Sequence, residues 1–412
     1  MKKQILILLV ISLLVSVVVN PISLGFKISK KENIESVENK INFLDTLFDL
    51  YIELLMKIGH RPSIATCIIY DDEVVWSKGY GYYDLEKQKE TNEDILYLQA
   101  SVSKTVTATA LMQLYEQGLF DLDDDINDYL PFELRNPNHP DEPITIKMVL
   151  SHRSSLADDN VYWIALSYLP GDPDVEGFPY PWLEDYLVPG GSGYSSTTWS
   201  NAKPGEKFYY ANIGFSIIAY LIEILSGQNF NEYCKENIFE PLQMHNSSFR
   251  LRDHDIDSIA VPYEYKNDKY FRHPHYGIHV LYPAITLRTS VEEYSHFIIA
   301  HMNDGVWNDV RILEKETVDL MHMAHFSPEN KFNYGLGWTI TRQEDGTIKY
   351  GHSGGYVGVL DLVTIKPAQD VAVIIFSNEL DSELMSTYLE RRCFTFINKA
   401  IFWKAEQIIS QI

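Results

Sequence analysis

Two stretches of this chain place a lysine three residues after a serine: Ser101–Lys104 in "SVSKTVTATALMQLYEQG" and Ser200–Lys203 in "SNAK". A serine hydroxyl is a weak nucleophile until a neighbour takes its proton, and an amine one helical turn away can do so once it is neutral. The first copy runs into a helix-like segment, with Val106, Ala110, Leu111, Leu114 and Tyr115 on one face and Gly118 as its stop. Free amides and the positive dipole end at a helix start favour negative charge developing on Ser101. In the second copy Pro204 and Gly205 follow Lys203 at once, so no helix can carry the pair. Ser200 is therefore read as a decoy.

Two further stretches hold groups that a serine–lysine pair lacks. In "FYYANIGF", Tyr210 and Asn212 stand two apart and point to one side of an extended chain. A tyrosine can shuttle a proton where nearby cations depress its pKa. The plainer alternative is a packed tyrosine with Asn212 as the cap of the next helix. In "YGHSGGYVGV", tight glycine-rich backbone at a strand end could aim an N–H at an oxyanion, and His352 could face a cavity. The alternative there is a turn with a surface histidine.

The elements that must position these groups fall into three parts. Asn42 to Ile58 carries apolar residues at helical spacing, and "SIATCIIY" and "EVVWSKGYGYYD" form a hairpin around "DDE". From about Phe120 to Asn330 there are helices and long loops, with "NIGFSIIAYLIEILSG" the clearest helix, stopped by Gly227. The Pro/Gly-rich stretch "YLPGDPDVEGFPYPWLEDYLVPGGSGYSSTTWS" reads as one long loop of the kind that forms lids. Strand signals return from Tyr334 in "YGLGWTIT", "TIKYGHSGG", "GVLDLVTIK" and "DVAVIIFSN", and Asp381 to Ile401 reads as a closing helix. The expected fold is α+β: an antiparallel sheet flanked by helices, built from both chain ends, with an inserted mainly helical domain. The α/β part spans about 42–118 and 331–412, and the helical part about 119–330.

Composition narrows the class. The 412 residues are 45% hydrophobic and 22% charged, which suits a folded globular chain. A net charge of -23 disfavours nucleic acid and anionic lipid surfaces as partners. Lys2 and Lys3 before the uncharged run Ile5–Val19, then small residues up to Gly25, read as an export signal over 1–25, with 26–41 as a linker. The run is short for a membrane span, which takes about 20 residues, so an uncleaved anchor is the alternative. The protein is expected to be secreted or extracytoplasmic. Cys67, Cys234 and Cys393 form no Cys-x-x-Cys pair; one disulfide could form, but a buried free thiol suits Cys67 better.

Taken together, Ser-x-x-Lys, Tyr-x-Asn and His-x-Gly in this order resemble the serine β-lactamase and penicillin-binding-protein superfamily, in its class C and esterase-like branch. The resemblance runs from about Asn42 to Lys399: "ITIKMVLSHRSSL", "KPGEKFYYANIGF", "IFEPLQMHNSSF" and "FNYGLGW" are all similar to family segments. It implies a serine hydrolase forming an acyl-enzyme on a small ester, amide or peptide, of the esterase or D-amino-acid peptidase type. A β-lactamase proper, or a penicillin-binding sensor with little turnover, is the alternative. Ser101 would attack, Lys104 would tune and help deprotonate it, and Tyr210 would pass the proton to the leaving group and later activate water. Asn212 would bond substrate or Lys104, His352 and Gly354 would contact substrate, and the N–H groups of Ser101 and Gly355 would form the oxyanion hole. The resemblance implies no metal or other cofactor.

Departures from the family pattern bear on the substrate. His352 stands where β-lactamases usually carry a lysine, which removes a fixed charge for a β-lactam carboxylate. Ser155 stands where glycine is common, and "YPAITLRTSVEEY" lacks a glycine pair. His273, His275 and His279 in "FRHPHYGIH" are weak metal candidates, since Pro274 breaks helical spacing and no acidic partner adjoins them in sequence. Asn246-Ser247-Ser248 fits a glycosylation acceptor, and "LFDLDDDINDYL" reads as a capped turn rather than a calcium loop.

Overall fold

Two segments far apart in sequence, "SIATCIIY" and "VAVIIFS", are buried at nearly every position, as strands in the middle of a sheet must be. In the computed structural model they pair with each other and lie at the heart of one eight-stranded sheet. Its strands are β1 (Ser63–Tyr70), β2 (Glu73–Asp84), β3 (Lys89–Glu90), β4 (Phe332–Tyr334), β5 (Thr339–Arg342), β6 (Ile348–Tyr356), β7 (Val359–Lys366) and β8 (Val371–Ser377). The order is β4-β5-β6-β7-β8-β1-β2-β3, antiparallel throughout. Asp71 and Asp72, both at positive φ, make the two-residue turn between β1 and β2. The structure describes residues 34–158, 168–170, 180–278, 280–327, 332–380 and 388–412. The expected export signal lies outside them.

Five helices matter here: α1 (Ile34–Ile58), α2 (Ser103–Glu116), α3 (Asn212–Ser226), α4 (Val291–Met302) and α5 (Tyr388–Ile409). The chain forms two compact units, one of residues 1–62 and 383–412 and the other of 63–382. In the first, α1 and α5 pair, with Phe48 stacked on Trp403 and Lys404 bonded to Asp45. In the second, α4 packs on β1, β8 and β2, and α2 packs against α3. The sheet and the helical segments between 100 and 330 thus share one unit.

Several boundaries differ from those expected. α1 begins at Ile34, inside the segment read as a linker, because Ile34, Val37 and Ile41 continue the apolar spacing upstream. α5 runs on to Ile409 rather than stopping at Ile401, and residues 381–387 of the expected closing helix lie outside the described ones. The long loop holds a helix at Tyr180–Leu187, whose Leu183, Tyr186 and Leu187 are buried. Its Tyr168–Pro170 pairs with Tyr276–Ile278. α2 is not one-faced: every residue from Ser103 to Met112 is buried, so the helix runs through the core. α3 ends where Gly227 takes a left-handed φ of 70° and its N–H closes on Glu223 O at 2.9 Å.

Candidate active site

Ser101 sits in a tight 3-10 turn, Ala100–Val102, that runs into α2. Ala100 has φ 42°, a conformation that a β-carbon disfavours. Neighbours hold it there. Gln99 is fully buried, its N–H bonds Leu287 O at 2.8 Å, and its amide donates to Tyr97 O at 2.9 Å. Strand β6 presses on the other side, where a Cβ on Gly354 would stand 2.3 Å from Gln99 O and 3.3 Å from Ala100 Cβ. Gly354, expected to contact substrate, is instead required for this close approach. Gly355 next to it has no such crowding, its nearest neighbour being Leu380 Cδ2 at 3.3 Å, and its backbone is exposed beside the turn.

Lys104 projects from the first turn of α2 with no exposed surface. Its Nζ lies 3.0 Å from Ser101 Oγ, 2.7 Å from Asn212 Oδ1 and 3.0 Å from Ala284 O. It also sits 5.0 Å above the Tyr210 ring and 5.7 Å above that of Phe215. Burial pulls its pKa from 10.5 down to about 7, against a weaker upward pull from Asp158. An amine that is half deprotonated near neutrality and touches a serine hydroxyl can serve as its base.

Asn212 is the first residue of α3, and Ala211 rather than Asn212 is the helix cap. The capping oxygens come from Asp158, which accepts from Asn212 N at 2.5 Å, Asn212 Nδ2 at 2.7 Å and Ile213 N at 3.3 Å. Donating to Asp158 and accepting from Lys104 fixes which way the Asn212 amide points. Burial raises the Asp158 pKa even with these donors. The Tyr210 hydroxyl lies beside Ser101, and 37% of the residue is exposed. Its pKa is raised by desolvation against a weaker downward pull from Ser101, not depressed as a shuttling tyrosinate needs, so the group is held as a phenol.

His352 is buried, and both ring nitrogens are engaged within the protein. Nδ1 donates to Ser353 O at 2.7 Å, so Nε2 accepts from the Tyr334 hydroxyl at 2.8 Å. Burial and the Lys104 charge push its pKa down to about 3. Neither a surface histidine nor a ring nitrogen free to bond substrate fits this arrangement. Its strand neighbour Ser353 is exposed, on the opposite face from His352.

Sequence reasoning passed over three residues of this site. Asp158, Tyr334 and the buried His152, whose ring centroid is 4.2 Å from that of Tyr210, carry no local signal. The other candidates lie apart from it. Lys203 is a surface partner of Glu142, and Ser200 Oγ accepts from Ala202 N. His273 pairs with Glu264, while burial and Arg288 push His275 to about 4; His279 lies outside the described residues. Asn246 donates to Glu293 at 2.8 Å, and Asp124 and Asp125 cap their own turn. Ser155 has φ 68°, which explains why glycine suits that position. Cys67, Cys234 and Cys393 are buried free thiols.

Comparison with known proteins places the chain in a family. The family model described as Beta-lactamase matches residues 48–392, and the chain belongs to that family, a hydrolase family of the serine β-lactamase and penicillin-binding-protein superfamily. It is 23% identical over 372 residues to Protein flp of Staphylococcus aureus (strain MW2), covering 88% of this chain and 68% of that one. Its fold is similar to the octameric penicillin-binding protein homologue from Pyrococcus abyssi (TM-score 0.67, 24% identity, 85% and 77% of the two chains). It is also similar to the D-amino acid amidase from Ochrobactrum anthropi SV3 (TM-score 0.65, 18% identity, 84% and 97%).

Proposed function

We propose that the protein is a serine hydrolase that cleaves small esters or amides, D-amino-acid derivatives among them, through an acyl-enzyme on Ser101. The observation that carries this reading is the buried Lys104, 3.0 Å from Ser101 Oγ and with its pKa near 7. As an ammonium, Lys104 has three donors for three acceptors: Ser101, Asn212 and Ala284. Once neutral, it keeps two donors for the fixed acceptors Asn212 Oδ1 and Ala284 O. The lone pair is then left to take the Ser101 proton. Ser101 Oγ bonds to the substrate carbonyl carbon, and the N–H groups of Ser101 and Gly355 hold the resulting oxyanion. The phenol of Tyr210 gives its proton to the leaving group as the C–N or C–O bond breaks, and is reprotonated from Lys104. Water then cleaves the acyl-enzyme by the reverse transfers.

The neutral, internally bonded His352 favours ester or amide substrates over β-lactams, since it presents no cation to a β-lactam carboxylate. The D-amino acid amidase among the fold neighbours is in keeping with an amide substrate. The test is a fluorophosphonate probe with peptide mass mapping, run on the wild type, Ser101→Ala and Ser200→Ala. Label on Ser101, lost in the first variant and kept in the second, is expected. A panel of nitrophenyl esters, D-amino-acid amides and a cephalosporin then assigns the substrate; label on no serine would sink the reading.

A further inference from the structure

His152 touches the chain on both sides of Tyr210. Its backbone carbonyl accepts from Tyr209 N at 2.9 Å, and its ring Nδ1 accepts from Ala211 N at 3.1 Å. The ring itself lies against the Tyr210 ring, centroids 4.2 Å apart and planes inclined by 34°. Phe208, Phe215 and Tyr334 enclose the rest of it at 5.7, 5.4 and 4.6 Å. Only 1% of the side chain is exposed, and Nε2 has no hydrogen-bond partner among the described residues. A ring whose Nδ1 accepts from an amide carries its proton on Nε2, so the Ala211 contact fixes the tautomer of His152. His152 also sits at φ 55°, a backbone state that few residues other than glycine, Asn, Asp and His adopt readily. The disfavoured φ is a cost, and it brings the ring and carbonyl to the two residues flanking Tyr210.

The same segment continues alongside its partner. Ser155 O accepts from Ser200 N at 2.9 Å, Ala157 N donates to Thr198 O at 2.8 Å, and Asp158 reaches Asn212. One short run of chain therefore grips Tyr210 at one end and Asn212 at the other.

We propose that His152 is a positioning residue for Tyr210: by bonding Tyr209 N and Ala211 N and packing on the ring between them, it holds the phenol beside Ser101. This rests on the role given to Tyr210 above. His152 does not touch substrate, so removing it acts on kcat and leaves KM nearly unchanged. It also acts only through Tyr210, so the two losses do not multiply.

The full-length enzyme is assayed with 4-nitrophenyl butyrate, and each variant is checked by its melting temperature. His152→Asn keeps an acceptor near the Nδ1 position and tolerates positive φ; kcat is expected within about 5-fold of wild type. His152→Gln moves its carbonyl one bond further out, and kcat is expected to fall about 10- to 100-fold. In a Tyr210→Phe background, the change to Gln is expected to cost less than about 2-fold more. Equal activity of the Asn and Gln variants, or a Gln effect that multiplies in full with Tyr210→Phe, overturns the proposal. A wild type with no label on Ser101 overturns the parent reading, and this one with it. Normal labelling with additive His152 effects removes this one alone.

Discussion

A buried lysine leaves a pH signature on stability that is separate from its catalytic role. Lys104 titrates at 10.5 when unfolded and at about 7 in the folded core. Between these values the unfolded chain holds a proton that the folded chain lacks, so stability rises with pH. Below about pH 7 both states are charged at this lysine, and the penalty for burying the ammonium is felt in full. Above about pH 10.5 both are neutral and the penalty is gone. Each unit is worth about 1.36 kcal/mol, so between about pH 7.5 and pH 9.5 the wild type gains about 2.5 kcal/mol from this one group. Lys104→Met removes that term whatever its other effects on hydrogen bonds. Urea unfolding of wild type and Lys104→Met at both pH values isolates it: the wild type is expected to gain on the variant by about 2.5 kcal/mol. The kcat/KM of the wild type is expected to rise through about pH 7 as the amine becomes a base, and the variant to lose about 10³-fold. Parallel stability profiles would mean that Lys104 stays charged across this range, and the neutral-amine mechanism would fall.

Three other outcomes follow from the same geometry. Asp158→Asn removes the charge that supports the Lys104 ammonium, so the inflection in kcat/KM is expected to move to lower pH; a shift upward would contradict the assigned coupling. His352 is expected to remain a neutral Nδ1–H tautomer without titrating between about pH 5 and 8, which nitrogen-15 chemical shifts of the ring report directly. Gly354→Ala, whose Cβ would fall 2.3 Å from Gln99 O, is expected to cost about 2 kcal/mol or more and to slow labelling of Ser101. Gly355→Ala meets only the end of the Leu380 side chain at 3.3 Å and is expected to keep the stability of the wild type, so equal losses would refute the crowding assigned to Gly354.

How far the molecule could be read beforehand depended on how local each determinant is. The stop at Gly227 and the central strands around Cys67 and Ile374 were legible, because a left-handed cap and an apolar run are short-range signals. Ser101, Lys104 and Asn212 were legible as a set, and the structure brings them within hydrogen-bond reach. The depth of Lys104 was not, because Thr105, Thr107 and Thr109 look polar in sequence and yet bond Val102 O, Pro283 O and Thr105 O in the core. Asp158 could not be found, since the helix end that it caps begins 54 residues later. His352 was misread for a similar reason: the hydroxyl that accounts for its Nε2 comes from Tyr334, on another strand. The helix Tyr180–Leu187 was hidden by the prolines and glycines on either side of it.

The burial of α2 on every side also bears on how the protein breathes. Amides of a helix with no solvent-facing side exchange with water only when the whole unit opens. The backbone from Thr107 to Leu114 is therefore expected to be among the slowest-exchanging in the chain. A serine and lysine mounted at the end of such an element would keep their spacing while surface segments come and go. Adaptation to new substrates would then have to work through the surrounding segments, because the helix itself has almost no position that can change without repacking the core.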